Sequence, residues 1–145
     1  MSVLTKAYIP FRGYFSSPYA RWQGSLADFH ALELAASSTR RWLSGRGIDP
    51  GLFGYLFLGT TVHQRQGFYG APWVAGMLGA DRLPGLALSA ACATSTACLF
   101  QAALGVETGQ YDAALVVTAD RTSNGPHVVW PNPLGPGGQV EHENW

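Results

Sequence analysis

The sequence predicts an α/β fold built on a mostly parallel sheet with helices on both faces. Two observations lead to this prediction. Short apolar segments alternate along the chain with segments of helical character. These short segments are also apolar at nearly every position rather than at every second one, so both of their faces are expected to be buried. Strands of that kind are typical of parallel sheets that lie between helix layers. The 145 residues are enough for one modest core.

The first predicted elements are a strand and a helix separated by a long loop. We expect a short strand at residues 6–11 (KAYIPF), followed by a loop rich in Gly, Pro and Ser. A helix then begins, because Ser25 and Asp28 have the spacing of a capping box. Gly45 and Gly47 end this helix. Its apolar residues recur at helical spacing on one face; they are Phe29, Leu32, Ala36 and Leu43.

The next elements continue the alternation of strand and helix. Pro72 lies near the start of the second helix, where proline is tolerated. Gly109 ends the third helix. Residues 85–119 are therefore expected to form one βαβ unit. The predicted elements are strand 55–60, helix 68–78, buried strand 85–90, helix 92–109 and strand 113–119.

The composition changes after Asp120. Residues 125–145 contain four Gly and four Pro, and we predict neither a strand nor a helix there. The chain is accordingly divided into a partial α/β domain at 1–119 and the start of a Gly/Pro-rich loop region at 120–145. Because no closing element follows this loop, we expect the sequence to be the N-terminal portion of a larger fold.

The charge composition narrows the classes of partner. Charged residues make up 12% of the chain, about half the share in an average soluble domain, so a partner subunit or second domain is expected to cover part of the surface. The net charge of zero gives no indication of nucleic acid or an anionic membrane. No transmembrane helix or signal peptide is predicted. Two cysteines without a disulfide pattern fit a cytoplasmic protein.

The two cysteines lie in the apolar segment 86–100 (LALSAACATSTACLF). Cys92 lies where a strand ends and a helix begins, and the unpaired N–H groups and dipole of a helix start favour the thiolate form. Its neighbours are small, and its own N–H is free to face an oxyanion. Cys92 is therefore a candidate nucleophile, or else a core residue that happens to be a thiol. Cys98 lies about 240° further around the helix and is predicted to be a core residue.

Other titratable residues are weaker candidates for a site. His30, on the first helix, is predicted to lie at the surface or its boundary. His63 follows the second strand, where a functional role is open. Asp120 and Arg121, at the end of a strand, are expected to form a structural ion pair. His142 has acidic neighbours but no second ligand in a suitable setting, so we predict no metal site.

The segment 89–126 (SAACATSTACLFQAALGVETGQYDAALVVTADRTSNGP) resembles the nucleophile region of the thiolase superfamily. In that family an active-site cysteine begins a buried helix, and a G-x-x-D turn and an apolar strand follow. Residues 109–112 (GQYD) and the strand at 113–119 have this order. The N-terminal segments 8–35 and 47–62 are also similar to the opening of a thiolase chain.

The resemblance implies the N-terminal part of a thiolase-like αβαβα layered fold, incomplete as given. It also implies an acyltransferase of the acetyl-CoA acetyltransferase type. Cys92 would attack an acyl-CoA thioester and form an acyl-enzyme, in thiolytic cleavage or Claisen condensation. Acyl-CoA and CoA are then the substrates, and no cofactor or metal is expected. The activating His, the second Cys and the oxyanion-hole Asn of the family lie in a C-terminal half, so we expect the isolated chain to be inactive.

The resemblance also implies partners and leaves two alternatives open. A homodimer or larger oligomer is expected. A separate C-terminal thiolase half and a small OB-fold protein are further candidate partners. The resemblance also implies a cytoplasmic protein of lipid metabolism. The string Cys92-Ala93-Thr94-Ser95 is closer to the β-ketoacyl synthases, a sister family. The alternatives are thus a β-ketoacyl synthase-like condensing enzyme and a non-catalytic thiolase-like protein that binds lipid or acyl-CoA.

Overall fold

A three-stranded parallel sheet organises the chain, and its middle strand comes first in sequence. The computed structural model describes residues 4–123, 125–131 and 139–144. The sheet order is β2-β1-β3, with both outer strands parallel to β1. The strands are β1 (Tyr55–Gly59), β2 (Gly85–Leu88) and β3 (Ala114–Thr118). The α-helices are α1 (Ala31–Ser44), α2 (Gly70–Met77) and α3 (Thr94–Glu107).

The middle strand β1 separates two apolar cores. Leu56 and Leu58 pack in one core with residues of α1 and α2. Phe57 packs in the other core with Cys98 and Ala102 of α3. Successive side chains of a strand point to opposite faces, so α1 and α2 cover one face of the sheet and α3 covers the other. The predicted α/β fold with helices on both faces is therefore confirmed.

Helix α1 begins later than the sequence indicated. Residues Ser25–Phe29 form turns, and His30 is the N-cap: its Nδ1 accepts a hydrogen bond from the N–H of Leu32 at 3.2 Å. The capping-box prediction at Ser25 was therefore wrong, because the chain makes successive four-residue turns before it enters the helix. Phe29 is exposed as a result. The other three residues predicted on the apolar face, Leu32, Ala36 and Leu43, are buried.

The N-terminal segment forms no strand, contrary to the prediction for residues 6–11. Residues 10–13 turn instead, with the N–H of Gly13 donating to the carbonyl of Pro10 at 2.7 Å and Arg12 at a φ of 58°. A strand needs a hydrogen-bonding partner strand, and this segment has none within the described residues. The N–H groups of Lys6 and Ala7 bond instead to the side chain of Glu107 on α3.

The strand β2 lies at an edge of the sheet, which corrects the expectation that it would be buried. Leu86 is 46% exposed and Ala87 is also exposed. The reason is topological, since β1 takes the central position and pairs with both β2 and β3. The two strands of the predicted βαβ unit are consequently not neighbours, because β1 lies between them.

Two antiparallel strands follow Asp120, in the region where no strand was predicted. They are β4 (His127–Pro131) and β5 (Gln139–Asn144), and their register shifts between Trp130 and Pro131. The prediction failed because it averaged composition over the whole region. Gly and Pro are concentrated at 131–138, whereas the segment from His127 to Trp130 contains the β-branched and aromatic residues that favour strands.

The carboxylate of Glu107 attaches the N-terminal segment to the end of α3. It accepts hydrogen bonds from the N–H groups of Lys6, Thr5 and Ala7 at 2.8 to 3.1 Å, and from the Thr5 hydroxyl at 2.8 Å. Bonds to the ionised form, above all those from Lys6 and Thr5, lower the pKa of Glu107 from its ordinary 4.5 to about 2.

This attachment predicts an acid-dependent release of the N-terminal segment. A depressed pKa contributes stability that is complete above about pH 4.5 and is lost as the pH falls through about 2. An NMR titration of the Glu107 carboxyl carbon is expected to show this low midpoint. Glu107→Gln is expected to make the amides of residues 5–7 exchange faster at neutral pH, whereas Glu33→Gln on α1 serves as the matched control. Unchanged exchange in Glu107→Gln would contradict the assigned attachment.

Candidate functional site

The loops that leave the carboxyl ends of the three parallel strands meet at one edge of the sheet. They are residues 60–66 after β1, 89–93 after β2 and 119–123 after β3. In open parallel sheets, ligands bind outside this edge. The candidate site is therefore built from the side chains and backbone of these loops.

Cys92 lies in a tight turn between β2 and α3. A single 3₁₀ turn, Ala91–Ala93, contains it, and α3 begins at Thr94. The N–H of Ala93 donates to the carbonyl of Ala90 at 3.0 Å. The structure thus places Cys92 between a strand and a helix, with its side chain exposed and its neighbours small. A substrate can approach the sulfur from solvent.

The turn holds Ala91 in the left-handed region, with a φ of 48°. This conformation costs a non-glycine residue roughly 1–2 kcal/mol. The side-chain hydroxyl of Thr94 spans the turn: it accepts from the N–H of Ala90 at 2.8 Å and donates to the carbonyl of Ala91 at 2.7 Å. These two bonds offset part of the cost of the left-handed residue next to Cys92.

Gly59, the last residue of β1, allows α3 to approach the sheet closely. A Cβ at this position would lie 2.8 Å from Cγ2 of Thr94, 2.9 Å from Cγ2 of Thr118 and 3.0 Å from Sγ of Cys98. These distances are too short for a methyl group, so the first turn of α3 packs on the bare backbone of β1. Cys98 is fully buried in this contact.

The two cysteines have opposite environments, as the sequence predicted for Cys98. Cys98 lies in the core between α3 and β1, and burial raises the pKa of its thiol. Cys92 is exposed. The exposed thiol is therefore the one that a reagent in solution reaches first.

Asp120 joins the loops after β1 and β3. Its carboxylate accepts hydrogen bonds from the N–H groups of Thr61 and Val62 at 2.7 and 2.9 Å, and from the Thr61 hydroxyl at 2.6 Å. Arg121 donates instead to the carbonyl of Ala27 at 2.7 Å. The predicted ion pair between Asp120 and Arg121 is therefore wrong within the described residues, because each side chain bonds backbone of a different segment.

A groove lies at the carboxyl ends of β1 and β2, on the α1 side of the sheet. It has a volume of about 440 Å³. His63 and Gln64 supply polar groups to its lining, and the buried Oε1 of Gln64 has no hydrogen-bond partner in the described part of the chain. Apolar lining comes from Leu32, Leu58, Phe68 and Leu88. Ser89 also lines the groove, whereas Cys92 does not.

His30 bridges α1 to the loop after β1, a role that the sequence did not indicate. Besides capping α1 through Nδ1, its Nε2 lies 2.7 Å from the carbonyl oxygen of Arg65. Its ring also packs edge-on against Trp73, with ring centroids 5.0 Å apart. The residue is half-buried, at the boundary where the sequence placed it.

Neither a metal centre nor a membrane span is found in the part of the chain that the structure describes. No group of three or more His, Cys, Asp or Glu side chains there is arranged to hold a metal ion. No described helix is both long and apolar enough to cross a membrane. His127 and His142 lie on the paired strands β4 and β5.

The family follows from a comparison with protein-family models. The model of the thiolase N-terminal domain matches residues 15–139. The chain belongs to the thiolase family. The predicted resemblance is thereby confirmed. The parallel sheet and its three α-helices lie within the matched residues and form the N-terminal part of the thiolase fold. A search of curated protein sequences gave no significant match.

Solved structures of similar fold include two acetyl-CoA acetyltransferases. That of Bacillus anthracis has a TM-score of 0.75 at 19% identity, with 88% of this chain and 33% of that one covered. That of Syntrophomonas wolfei has a TM-score of 0.73 at 24% identity, with 83% and 31% covered. OleA from Xanthomonas campestris has a TM-score of 0.57 at 26% identity, with 66% and 28% covered. The thiolase-family chain thus spans about a third of the length of these structures.

Two residues of the candidate site were not predicted from the sequence. Gly59 looked like an ordinary strand end, although a glycine closing an apolar strand is a signal of close backbone approach. Thr94 was noticed only as part of the string after Cys92. Its signal was position, since threonine at a helix start commonly bonds nearby backbone.

The close approach at Gly59 predicts a loss of stability on adding one methyl group. Gly59→Ala is expected to lower the free energy of unfolding by about 1–3 kcal/mol, because the first turn of α3 must move. Gly76→Ala on α2 is the matched control: a Cβ there meets nothing within 4 Å, so it is expected to stabilise by about 0.5–1 kcal/mol. Urea unfolding measures both. A Gly59→Ala variant as stable as wild type would refute the packing assignment.

Proposed function

We propose that this chain is the nucleophile-bearing part of a thiolase-like acyl-CoA acyltransferase, with Cys92 as the nucleophile. The observation that supports it is the exposed thiol on the turn between β2 and α3, at the carboxyl edge of a parallel sheet in a thiolase-family chain. Similarity in fold to two acetyl-CoA acetyltransferases supports acyl-CoA as the class of substrate.

The reaction begins with attack of the Cys92 thiolate on the thioester carbonyl carbon of acyl-CoA. A bond forms between Sγ and the carbonyl carbon, and the negative charge moves to the carbonyl oxygen. When this tetrahedral intermediate collapses, the bond from carbon to the sulfur of CoA breaks and CoA leaves as a thiolate. The product is an acyl thioester on Cys92, and no cofactor or metal takes part.

The second step transfers the acyl group from Cys92. In the Claisen direction a carbanion of a second acyl-CoA attacks the acyl carbon, a carbon–carbon bond forms and the Cys92 thiolate leaves. In the thiolytic direction the first step differs: Cys92 attacks the 3-keto carbon of a 3-ketoacyl-CoA, the adjacent carbon–carbon bond breaks and an acyl-CoA leaves as its carbanion, which is then protonated. The thiolate of CoA next attacks the acyl carbon, a new thioester bond forms and the Cys92 thiolate leaves. The groups that move protons in both steps are proposed to come from a C-terminal thiolase half, so the isolated chain is expected not to turn over acyl-CoA.

We also propose that the protein works as a homodimer or larger oligomer. Supporting this, apolar side chains are exposed on the outer face of α3 and on the edge strand: Leu86 at 46%, Leu99 at 43% and Phe100 at 54%. Such residues on neighbouring elements form a surface suited to a protein partner. A separate C-terminal half or a small OB-fold protein is a further partner under the same proposal, in a cytoplasmic protein of lipid metabolism.

Acetylation by p-nitrophenyl acetate tests the nucleophile separately from the proton-transfer groups. Its leaving group departs without protonation, so a reactive thiolate needs no added base. We expect the wild-type chain to acquire one acetyl group on Cys92, as located by peptide mass spectrometry. Cys92→Ser is expected to abolish this modification and Cys98→Ser, the matched control, to retain it. Acetylation at Cys98, or at neither cysteine, would refute the proposal.

A single-turnover assay with acetyl-CoA tests the need for a second half. The chain alone is expected to form no acyl-Cys92 on the timescale of a catalytic turnover. Rapid acylation of the isolated chain would show that this chain already supplies the required proton transfer, and would contradict the need for a second half.

A second candidate function is acyl-CoA or lipid binding without catalysis. The groove at the carboxyl ends of β1 and β2 favours it, because apolar side chains line the groove and Cys92 does not. Binding of a fluorescent acyl-CoA that is equal in wild type and Cys92→Ser, with no acetylation in either, is the result expected for a binding protein. A β-ketoacyl synthase-like condensation, favoured by the string Cys92–Ser95, would instead show acyl transfer from a carrier-bound thioester.

A further inference from the structure

The side chain of Thr94 performs two physically separate tasks at the turn that contains Cys92. Its methyl group, Cγ2, packs where Gly59 leaves room on the sheet. Its hydroxyl accepts from the N–H of Ala90 at 2.8 Å and donates to the carbonyl of Ala91 at 2.7 Å. Thr94 is 5% exposed, so water does not readily replace these two bonds.

The two hydrogen bonds of the Thr94 hydroxyl hold backbone groups on both sides of the peptide bond between Ala90 and Ala91. Ala90 and Ala91 directly precede Cys92, and Ala91 has the left-handed φ of 48°. An alanine favours right-handed values when nothing opposes them. Without the hydroxyl, the N–H of Ala90 and the carbonyl of Ala91 lose their shared partner. The turn is then free to relax, and the relaxation rotates the backbone from which the thiol projects.

We propose that Thr94 is a positioning residue that holds Cys92 in its reactive orientation through its hydroxyl and not through its methyl group. This inference rests on the proposed function, since it assigns Thr94 a task in the reaction of Cys92. Threonine is suited to both tasks, because serine keeps the hydroxyl alone and valine keeps the shape alone.

Three variants of the full chain separate these tasks. Thr94→Val keeps the packing and removes the hydroxyl, and Thr94→Ser keeps the hydroxyl and removes the methyl group. Thr96→Val is the matched control, since Thr96 is exposed on the same helix. The readouts are the rate of Cys92 acetylation by p-nitrophenyl acetate and the ¹³C chemical shifts of Ala91, which report whether its backbone is left-handed. Circular dichroism verifies folding, and Thr94→Ala replaces Thr94→Val if the latter does not fold.

We expect acetylation of Cys92 to slow by about tenfold or more in Thr94→Val, as for a misplaced reacting group, with the Ala91 shifts moving to right-handed values. Thr94→Ser is expected to keep the wild-type rate and shifts while unfolding at a lower temperature. Thr96→Val is expected to match wild type. Wild-type rates or shifts in Thr94→Val would overturn the inference, and so would equal slowing in Thr94→Ser. If the wild-type chain is not acetylated at Cys92, the proposed function fails, whatever the Ala91 shifts show.

Discussion

The absence of a side chain at Gly59 is the constraint on which the rest of this structure depends. It lets the first turn of α3 rest on the end of the central strand, where a Cβ would meet Thr94, Thr118 and Cys98. Because α3 starts at this contact, the turn before it lies at the carboxyl edge of the sheet. The position of Cys92 therefore follows from a packing requirement two elements away in the chain.

Polar side chains then link the loops around this edge. Asp120 holds the loop after β1 to the end of β3, and Arg121 attaches the same region to the turns before α1. The amide of Gln64 donates to carbonyls in both loops. Most of these hydrogen bonds join a side chain to a backbone group. They order loops that form neither a helix nor a strand. The candidate site thus has a supporting frame that comes from three separate stretches of sequence.

How far the sequence predicted this structure differs between elements. The central strand and the helices α2 and α3 were predictable, because each is a nearly continuous apolar segment of suitable length that ends at or close to a Gly. The strand predicted at 6–11 and the helix start at Ser25 were wrong, since local patterns there lacked the partners that make an element stable. The strand β4 was missed because the Gly and Pro that follow it dominate the composition of the region, and β5 was missed because only Val140 among its residues favours strands. For the site, the position of Cys92 was predictable from the strand-to-helix boundary, whereas the hydrogen bonds from the Thr94 hydroxyl across the turn were not.

The sequence by itself determined the alternation of strands and helices, the burial of Cys98 and the resemblance to thiolases, because these depend on the order and spacing of residues along the chain. Only the tertiary structure decided which strand is central, that β2 is an edge, and that Asp120 bonds the loop after β1 instead of Arg121. Those outcomes depend on pairings between residues roughly 30 to 60 positions apart, for which many arrangements satisfy the same local pattern. Burial of both faces of β1, and the room left at Gly59, select one of them.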